Sequence, residues 1–451
     1  MGNHDRLSRR SVLGVAAGAA AASVCGLAGP AYAFVAPKEQ DGGHDPRDRG
    51  RQDDGRGRGR LIPPGKVGTI TFTQRDVPSR VGIAASAALG VPPTMGHLGG
   101  ANFPADPTDL GPLVPLPGGW RELFEFLANL RYKQIEFAGY NQNASNPGGA
   151  APNPAPGGVT TPESRAAYLA YGRTLRGFLD EFGLEAIGNH GFIPNTWPGP
   201  SSPGGAMSTN DHERFQTELE FASILGMPFM GTGNDPTSAD DRNIETWDIA
   251  GEKWEALNEL GREWRIQIYP HNHSPAYNFL QDGPMVEVTE DRLTGAPIPP
   301  TMVRAESGTR LMQHYLDITD RRLCVVEMDI YWAHVAQHQW RWRYDVDGNR
   351  VEDIFDPIAQ VARQTKRYAL FHAKDGDRTT EPPGTGNGYE IVPFGDPRSD
   401  IDFERFYRRI GARGFHNSNY EQDNAPGGAA DPGQSLRHAV ISAGNMRSLR
   451  G

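Results

Sequence analysis

The chain has 451 residues, of which 37% are hydrophobic, and a formal net charge of -10 at pH 7. This acidic balance argues against a nucleic-acid partner, because proteins bind phosphate backbones through basic faces. The length fits one large barrel domain with long loops, and the 55 glycines and 37 prolines place the polar excess in those loops rather than in the core.

The N-terminus has the features of a twin-arginine export signal. Arg9 and Arg10 precede an apolar stretch rich in Ala and Gly, and Ala31 and Ala33 supply the small residues of a cleavage site. We expect the twin-arginine translocation machinery to export the protein and residues 1–33 to be removed, which leaves it secreted or extracytoplasmic without a stable membrane span. A membrane anchor is the alternative, but the stretch is shorter than the roughly 20 strongly apolar residues that a span needs.

The two cysteines agree with export in a folded state. Cys25 lies in the signal, where Val24 is larger than the residue that a lipid-attachment site normally has at this position, so Cys324 alone remains after cleavage. The mature chain then has no internal disulfide, which is unusual for a secreted protein but fits a route that exports folded, metal-loaded proteins. Residues 34–65 interleave Asp and Arg with Gly and predict a disordered charged linker, followed by one barrel domain at 66–451.

Short apolar runs alternate with amphipathic stretches along the rest of the chain, which is typical of βα units around a parallel sheet. Helical stretches place apolar residues three and four apart, as in Leu123, Phe126, Leu127 and Leu130. We predict an α/β fold, a (β/α)8 TIM barrel whose long loops lie on the C-terminal face, where such barrels build their active sites. The eight predicted strands are 67–73, 134–138, 185–190, 228–231, 265–269, 323–330, 368–372 and 416–421.

One loop contains a local motif. Asp347 and Gly348, within the segment from Tyr344 to Glu352, indicate a hairpin turn between two short strands. A calcium loop is the alternative, but the glycine stands at the wrong place in the series Asp345, Asp347, Asn349.

The last four predicted strands end in residues that can bind a metal ion. Because neighbouring strand ends converge in a closed barrel, one ligand from each strand could meet at a single ion. Mixed imidazole and carboxylate ligands favour one divalent Mn, Zn, Co or Fe ion over Ca. The strand-end runs are 269–273 (YPHNH), 327–332 (EMDIYW), 372–375 (HAKD) and 420–424 (YEQDN).

These four runs, in this order, resemble the sugar phosphate isomerase/epimerase family of the xylose isomerase-like TIM barrel superfamily. Members of that family carry runs similar to YHNH, ELDVYW, HLKD and VEQDN on strands five to eight. The resemblance covers most of residues 66–449 and implies a xylose isomerase-like barrel that acts on a small carbohydrate.

The resemblance implies metal ligation by His271, Asp329, His372 and Glu421. His271 stands where many members have a glutamate, and His273 is the alternative ligand from strand five. The structural alternative is that Asp329 and Glu421 take part in ion pairs with cationic side chains and that His372 is a buried, hydrogen-bonded histidine. Glu421 or His273 would be the catalytic base, and Lys374 would neutralise a developing oxyanion.

Further residues are candidates for binding the substrate. Glu136 and His190, at the ends of strands two and three, would face the same pocket and bind hydroxyl groups. Asp375 follows Lys374 at the end of strand seven and is a further candidate. Aromatic rings after strand six could stack on a sugar, although loop packing explains them equally well; they are Trp332, Trp340, Trp342 and Tyr344.

Three functions remain open at this stage. The first is a metal-dependent sugar isomerase or epimerase that acts through an enediolate. The second is a metal-dependent lyase or dehydratase that acts on a keto-sugar or 3-keto-glycoside. The presence of His271 where many family members have a glutamate favours this second function. The third is a carbohydrate-binding barrel without catalysis. A DNA-repair nuclease of the same superfamily is disfavoured by the acidic charge and by Trp332, which replaces a metal-binding histidine.

Overall fold

The computed structural model describes residues 59–78, 117–140, 161–202, 205–378, 389–410, 417–427, 431 and 433–451. The predicted signal at 1–33, nearly all of the linker and most of the loops at 78–118 and 141–162 lie outside the described residues. No helix within the described part of the chain has the length and apolarity needed to cross a membrane.

Thirteen strands and nine α-helices make up the described fold. The strands are β1 (Val67–Ile70), β2 (Gln134–Phe137), β3 (Glu185–Asn189), β4 (Phe229–Gly231), β5 (Gln267–Tyr269), β6 (Met285–Glu290), β7 (Pro297–Arg304), β8 (Val326–Asp329), β9 (Trp342–Tyr344), β10 (Arg350–Glu352), β11 (Tyr368–Arg378), β12 (Tyr389–Val392) and β13 (Asn417–Glu421). The helices are α1 (Gly119–Asn129), α2 (Pro162–Phe182), α3 (Thr209–Leu225), α4 (Ile244–Glu263), α5 (Leu311–Ile318), α6 (Ile330–Gln339), α7 (Pro357–Arg363), α8 (Phe403–Ile410) and α9 (Gln434–Ser448).

Eight parallel strands close into a ring. Six of them pair in the order β3-β2-β1-β13-β11-β8, and β4 pairs with β5. A parallel bridge between His190 and Gly231 joins β3 to β4, and the Glu327 backbone NH donates to the Pro270 carbonyl at 3.0 Å, joining β5 to β8. The predicted (β/α)8 barrel is therefore confirmed.

Local sequence signals explain where the outer helices begin and end. α2 starts after Thr161, whose hydroxyl accepts from the Ser164 backbone NH, with Pro162 in the first turn. It ends at Gly183, whose φ of 64° is left-handed and favours glycine. The face of α1 that carries Leu123 and Leu127 is fully buried against the barrel, as its periodicity predicts.

Two separate antiparallel hairpins extend from the barrel, and β12 pairs antiparallel with the end of β11. The predicted hairpin around Asp347 is formed by β9 and β10, and Asp345 Oδ1 accepts the backbone NH groups of Asp347 and Asn349. These bonds show a side-chain-supported turn. The hairpin of β6 and β7 lies within the long loop after β5 and was not predicted.

Candidate metal centre

The strand register places the predicted ligands at one level of the barrel. His372 on β11 is aligned with Asp329 on β8, and Lys374 is aligned with Glu421 on β13. Because side chains alternate along a strand, Glu327 and Asp329 point to the same face of β8, with Glu327 two residues nearer the N-terminal end. The barrel interior therefore has an upper level near the C-terminal face and a deeper level beneath it.

Four side chains meet at the upper level, and we call them the upper group: His271, Asp329, His372 and Glu421. Each offers one donor atom, and the four donor atoms lie within 4.8 Å of one another. All four residues are buried, with His271 2% and Glu421 6% exposed. The structure thus brings together the four candidate ligands that the resemblance implied, and this group contains His271 and not His273.

Asp329 indicates that the upper group fits a cation. Its Oδ1 accepts from the Trp332 backbone NH at 2.9 Å and so caps α6. Its Oδ2 is buried and accepts no hydrogen bond from the described residues, although Lys374 Nζ lies 3.3 Å and His271 Nε2 lies 3.9 Å away. Burial raises the pKa of Asp329 to about 7. A buried carboxylate oxygen without a hydrogen bond is unfavourable unless positive charge compensates it, and Lys374, which Asp329 shares with Asp423 and Glu421, supplies this charge only in part.

Glu327 connects the histidines from the deeper level. Its Oε2 lies 3.0 Å from His271 Nδ1 and 2.7 Å from His190 Nε2, and its Oε1 lies 3.1 Å from His372 Nε2. Burial would raise the pKa of Glu327, but the neighbouring imidazoles of His372 and His190 hold it well below its usual value. This ionised carboxylate fixes both ligand rings, a role typical of carboxylates behind metal-bound histidines.

Glu136 supports the same histidine from β2. It is fully buried and accepts from Tyr269 Oη at 2.6 Å and from Asn419 Nδ2 at 2.7 Å, and it lies 3.0 Å from His372 Nε2. His372 Nε2 thus faces Glu327 and Glu136, while its Nδ1 lies 2.7 Å from Glu421 Oε2 in the upper group. The geometry makes Glu136 a support for His372, although a substrate hydroxyl was the expected partner.

A second set of donors overlaps the upper group. His190, His271, Glu327 and His372 also lie within 4.8 Å of one another, and we call them the deeper group. It offers three imidazoles and a single carboxylate. The upper group has two carboxylates, which offset the charge of a divalent ion more completely, and it lies nearer the C-terminal face, where barrel active sites are built.

Lys374 is held by carboxylates beside the upper group. Its Nζ lies 2.8 Å from Asp423, 3.3 Å from Asp329 and 3.5 Å from Glu421, and 5.0 Å from the centre of the Trp332 ring. Burial would lower the pKa of Lys374, but these carboxylates raise it above its usual range. Lys374 is therefore a fixed ammonium group at the edge of the centre.

His273 is a neutral imidazole next to the upper group. Its ring centre lies 5.1 Å from that of His271 and 5.7 Å from that of Trp332. Burial, followed by the charge of Lys374, lowers the pKa of His273 to about 4. Its backbone NH donates to Asp235 Oδ1 at 2.8 Å, and burial raises the pKa of Asp235 to about 7. The sequence prediction missed Asp235, whose signal was an acidic residue shortly after β4.

The remaining candidate residues are Asp375 and the aromatic residues after strand six, and most of them have partners away from the upper group. Asp375 Oδ1 accepts from the Gly376 backbone NH and from Ser399, and its Oδ2 accepts from the Gly395 backbone NH, so its carboxylate fastens the loop after β12. Three of the four aromatic rings pack on the hairpins: Arg350 covers Trp342 at 3.5 Å, Arg292 lies 5.6 Å from Trp340, and Tyr344 donates to the Glu290 carbonyl. Trp332 is the one that contacts the centre.

The chain matches no protein-family model and no curated protein sequence. Solved structures of similar fold include a sugar phosphate isomerase/epimerase from Parabacteroides distasonis, at 18% identity and a TM-score of 0.42 over 73% of this chain and 87% of that chain. The IolI protein with a zinc atom bound is similar at 10% identity and a TM-score of 0.45, over 85% and 98% of the two chains. The 3-keto-D-glucoside 4-epimerase YcjR from E. coli is similar at 11% identity and a TM-score of 0.40, over 84% and 98%. These similarities concern the fold alone.

Proposed function

We propose that this protein is a metal-dependent carbohydrate isomerase or epimerase. The observation that carries the proposal is the upper group, in which two carboxylates and two imidazoles from four neighbouring strands converge beside a neutral histidine and a fixed ammonium group. Such a set of donors suits a divalent Mn, Zn, Co or Fe ion. When bound, the ion would polarise a carbonyl and an adjacent hydroxyl of a sugar and lower the barrier to proton loss at the neighbouring carbon.

The residues of the chain have distinct roles in this reaction. In an isomerisation, His273 takes the proton from the carbon next to the carbonyl and returns it to the former carbonyl carbon on the same face, whereas an epimerisation needs a second proton donor on the opposite face of the same carbon. The low pKa of His273 keeps it unprotonated at neutral pH, which a base requires. Lys374 stabilises the negative charge that develops on the sugar oxygen.

Glu421 is the weaker candidate for the base. Its Oε2 lies 2.7 Å from His372 Nδ1 and 3.5 Å from Lys374 Nζ. Burial would raise the pKa of Glu421, but these positive neighbours hold it well below its usual value. Because Glu421 Oε2 already contacts His372 and Lys374 and the carboxylate belongs to the upper group, we assign Glu421 to the metal.

The same arrangement supports a second candidate function. Elimination from a keto-sugar or a 3-keto-glycoside also needs one base, and the neutral imidazole of His273 lies beside the upper group, with its ring centre 5.1 Å from that of His271. Isomerisation leaves the mass of the substrate unchanged, whereas elimination releases water or an aglycone. We further propose that the protein is exported by the twin-arginine route, on the evidence of residues 1–33 alone.

Proton exchange at carbon tests the proposal directly. The metal-loaded protein would be incubated in D2O with a panel of neutral ketoses and 3-keto-glycosides, and deuterium incorporation would be followed by NMR with mass analysis of products. We expect deuterium to enter beside the carbonyl with the wild type and not with His273→Gln, while His338→Gln, near the C-terminal end of α6, serves as the matched control. Exchange that persists in His273→Gln would reject His273 as the base, and sugar binding without exchange in the wild type would favour a non-catalytic barrel.

A further inference from the structure

We infer that the substrate of this site is an uncharged sugar or glycoside that carries no phosphate group. The inference rests on the proposed function and adds the chemical class of the substrate. The side chains around the upper group offer a phosphate no unpaired positive charge.

The Lys374 ammonium group beside the upper group already has carboxylate partners. Lys374 Nζ lies 2.8 Å from Asp423 Oδ2, 3.3 Å from Asp329 Oδ2 and 3.5 Å from Glu421 Oε2. A phosphate dianion would have to displace at least one of these carboxylates to reach Lys374. Three carboxylates around one ammonium group leave no surplus positive charge for an anionic ligand.

A bound divalent ion would not change this balance. Asp329, Glu421 and Asp423 would offer three carboxylates to the ion and Lys374, whose positive charges would total three. In the deeper level, Glu327 and Glu136 lie 2.7–3.3 Å from ring nitrogens of His190 and His372, so these imidazoles also have carboxylate partners. The loaded centre would therefore have no surplus positive charge. Transfer of a phosphate from water into such a site is unfavourable.

Two arginines that follow strands of the fold also have partners of their own, namely Arg75 after β1 and Arg398 after β12. Arg75 donates to the Phe72 carbonyl and to the Asp423 carbonyl, each at 2.8 Å, and stacks on the Phe72 ring at 4.1 Å. Arg398 contacts Asp396, Glu390 and Asp377. These cations therefore have partners of their own.

Three further segments of the sequence also lack an excess of cationic residues. Segments 79–116, 141–160 and 378–388 follow β1, β2 and the end of β11 along the chain. Together they contain two arginines, Arg80 and Arg378, and three acids, Asp106, Asp109 and Glu381. In sequence, these segments do not contain the excess of cationic residues that phosphate recognition uses.

Trp332 has a buried indole NH that could donate a hydrogen bond to a neutral sugar. Its indole Nε1 is buried and has no hydrogen-bond partner among the described residues. The ring lies 5.7 Å from the His273 ring and 5.0 Å from Lys374 Nζ, so it borders the centre. A sugar hydroxyl can accept from the indole NH while the apolar face of the sugar packs on the ring.

Calorimetric titration of the metal-loaded and metal-free protein with D-fructose, D-fructose 6-phosphate and inorganic phosphate tests the inference. We expect D-fructose 6-phosphate to bind no more tightly than D-fructose, and inorganic phosphate not to bind in the millimolar range. Asp423→Asn removes one carboxylate from Lys374 and should raise the affinity for both phosphate ligands about tenfold. Asp377→Asn, which changes the charge equally but beside Arg398, should leave these affinities unchanged.

Two results would overturn the inference. One is wild-type protein that binds D-fructose 6-phosphate or inorganic phosphate at least tenfold more tightly than D-fructose, in either form. The other is Asp423→Asn protein, folded by circular dichroism, in which the affinity for phosphate does not rise. A protein that takes up no metal would defeat the proposed function instead, and the phosphate titration of the metal-free form would still decide the charge argument.

Discussion

Replacing Glu327 by Gln should weaken metal binding without abolishing it. Glu327 is fully buried and lies within 3.1 Å of ring nitrogens of both His271 and His372, on the side away from the upper group. The amide has the same shape but no charge, and its NH2 group cannot accept a proton from an imidazole. Loss of such a supporting carboxylate typically costs 10-fold to 100-fold in metal affinity, or about 1.4–2.7 kcal/mol.

The assay is competition between the protein and a chelating dye for Mn²⁺ or Zn²⁺. Glu421→Gln, which removes a direct ligand of the upper group, should weaken binding more than Glu327→Gln does. Glu218→Gln is the matched control, because Glu218 is another buried glutamate, whose carboxylate accepts from the Tyr168 hydroxyl on the outer layer of the barrel. Circular dichroism would verify that all three variants are folded.

The relative losses of metal affinity in Glu327→Gln and Glu421→Gln show whether the ion lies in the upper group or in the deeper group. If the ion occupied the deeper group, Glu327 would be its sole carboxylate ligand, and Glu327→Gln would abolish binding while Glu421→Gln changed it little. That order, or an affinity of Glu327→Gln within about twofold of the wild type, would refute the assignment of Glu327 as the support of the upper group.

Three further predictions follow from individual contacts. Burial raises the pKa of Glu218 to about 7, so the stability that this group contributes is complete below its unfolded pKa and is lost as the pH rises through 7. Glu218→Gln should therefore stabilise the protein at pH 8 by up to about 3 kcal/mol and have little effect at pH 4, as measured by urea unfolding; equal effects at both pH values would contradict this. Leu123→Ala on the buried face of α1 should cost about 2–5 kcal/mol in the same assay, and a cost near zero would contradict the packing of α1. Asp356 Oδ1 accepts from the Ala359 backbone NH at the start of α7, so Asp356→Ala should cost about 1 kcal/mol, whereas Asp356→Asn should retain most of the stability.

The sequence predicted the barrel because its signals are local. Each of the eight runs combines apolar or β-branched residues with a following amphipathic stretch, and all eight became strands of the ring, with His416 outside the described residues. The ligand set also had a local signal, since donors stand at the ends of four consecutive strands. Barrel closure then brings such ends together without any motif that joins them in sequence.

The support of the ligands could not be predicted in the same way. Glu327 and Asp329 both point inward from β8, and sequence alone does not show which one lies at the level of His372. That distinction depends on the register between β8 and β11, which aligns Asp329 with His372. The role of Asp375 also depends on a distant partner, because Ser399 and Gly395 reach it from the loop after β12.

The hairpin of β6 and β7 was missed for a different reason. Its two strands are largely exposed, and β7 contains Pro297, Pro299 and Pro300, residues that argue against a strand in a buried sheet. Proline is tolerated here because both strands belong to an isolated two-stranded sheet, in which each has a free edge.

The central claim is that His271, Asp329, His372 and Glu421 hold one divalent ion. Elemental mass spectrometry of purified protein, dialysed against Mn²⁺, Zn²⁺, Co²⁺ or Fe²⁺ under reducing conditions, tests it most directly when combined with single alanine variants of the four residues and with His190→Gln. We predict about one ion per chain in the wild type and in His190→Gln, and loss of the ion in each of the four folded alanine variants. A wild type that takes up no ion, or an ion that survives Asp329→Ala and Glu421→Ala but is lost in His190→Gln, would contradict the claim.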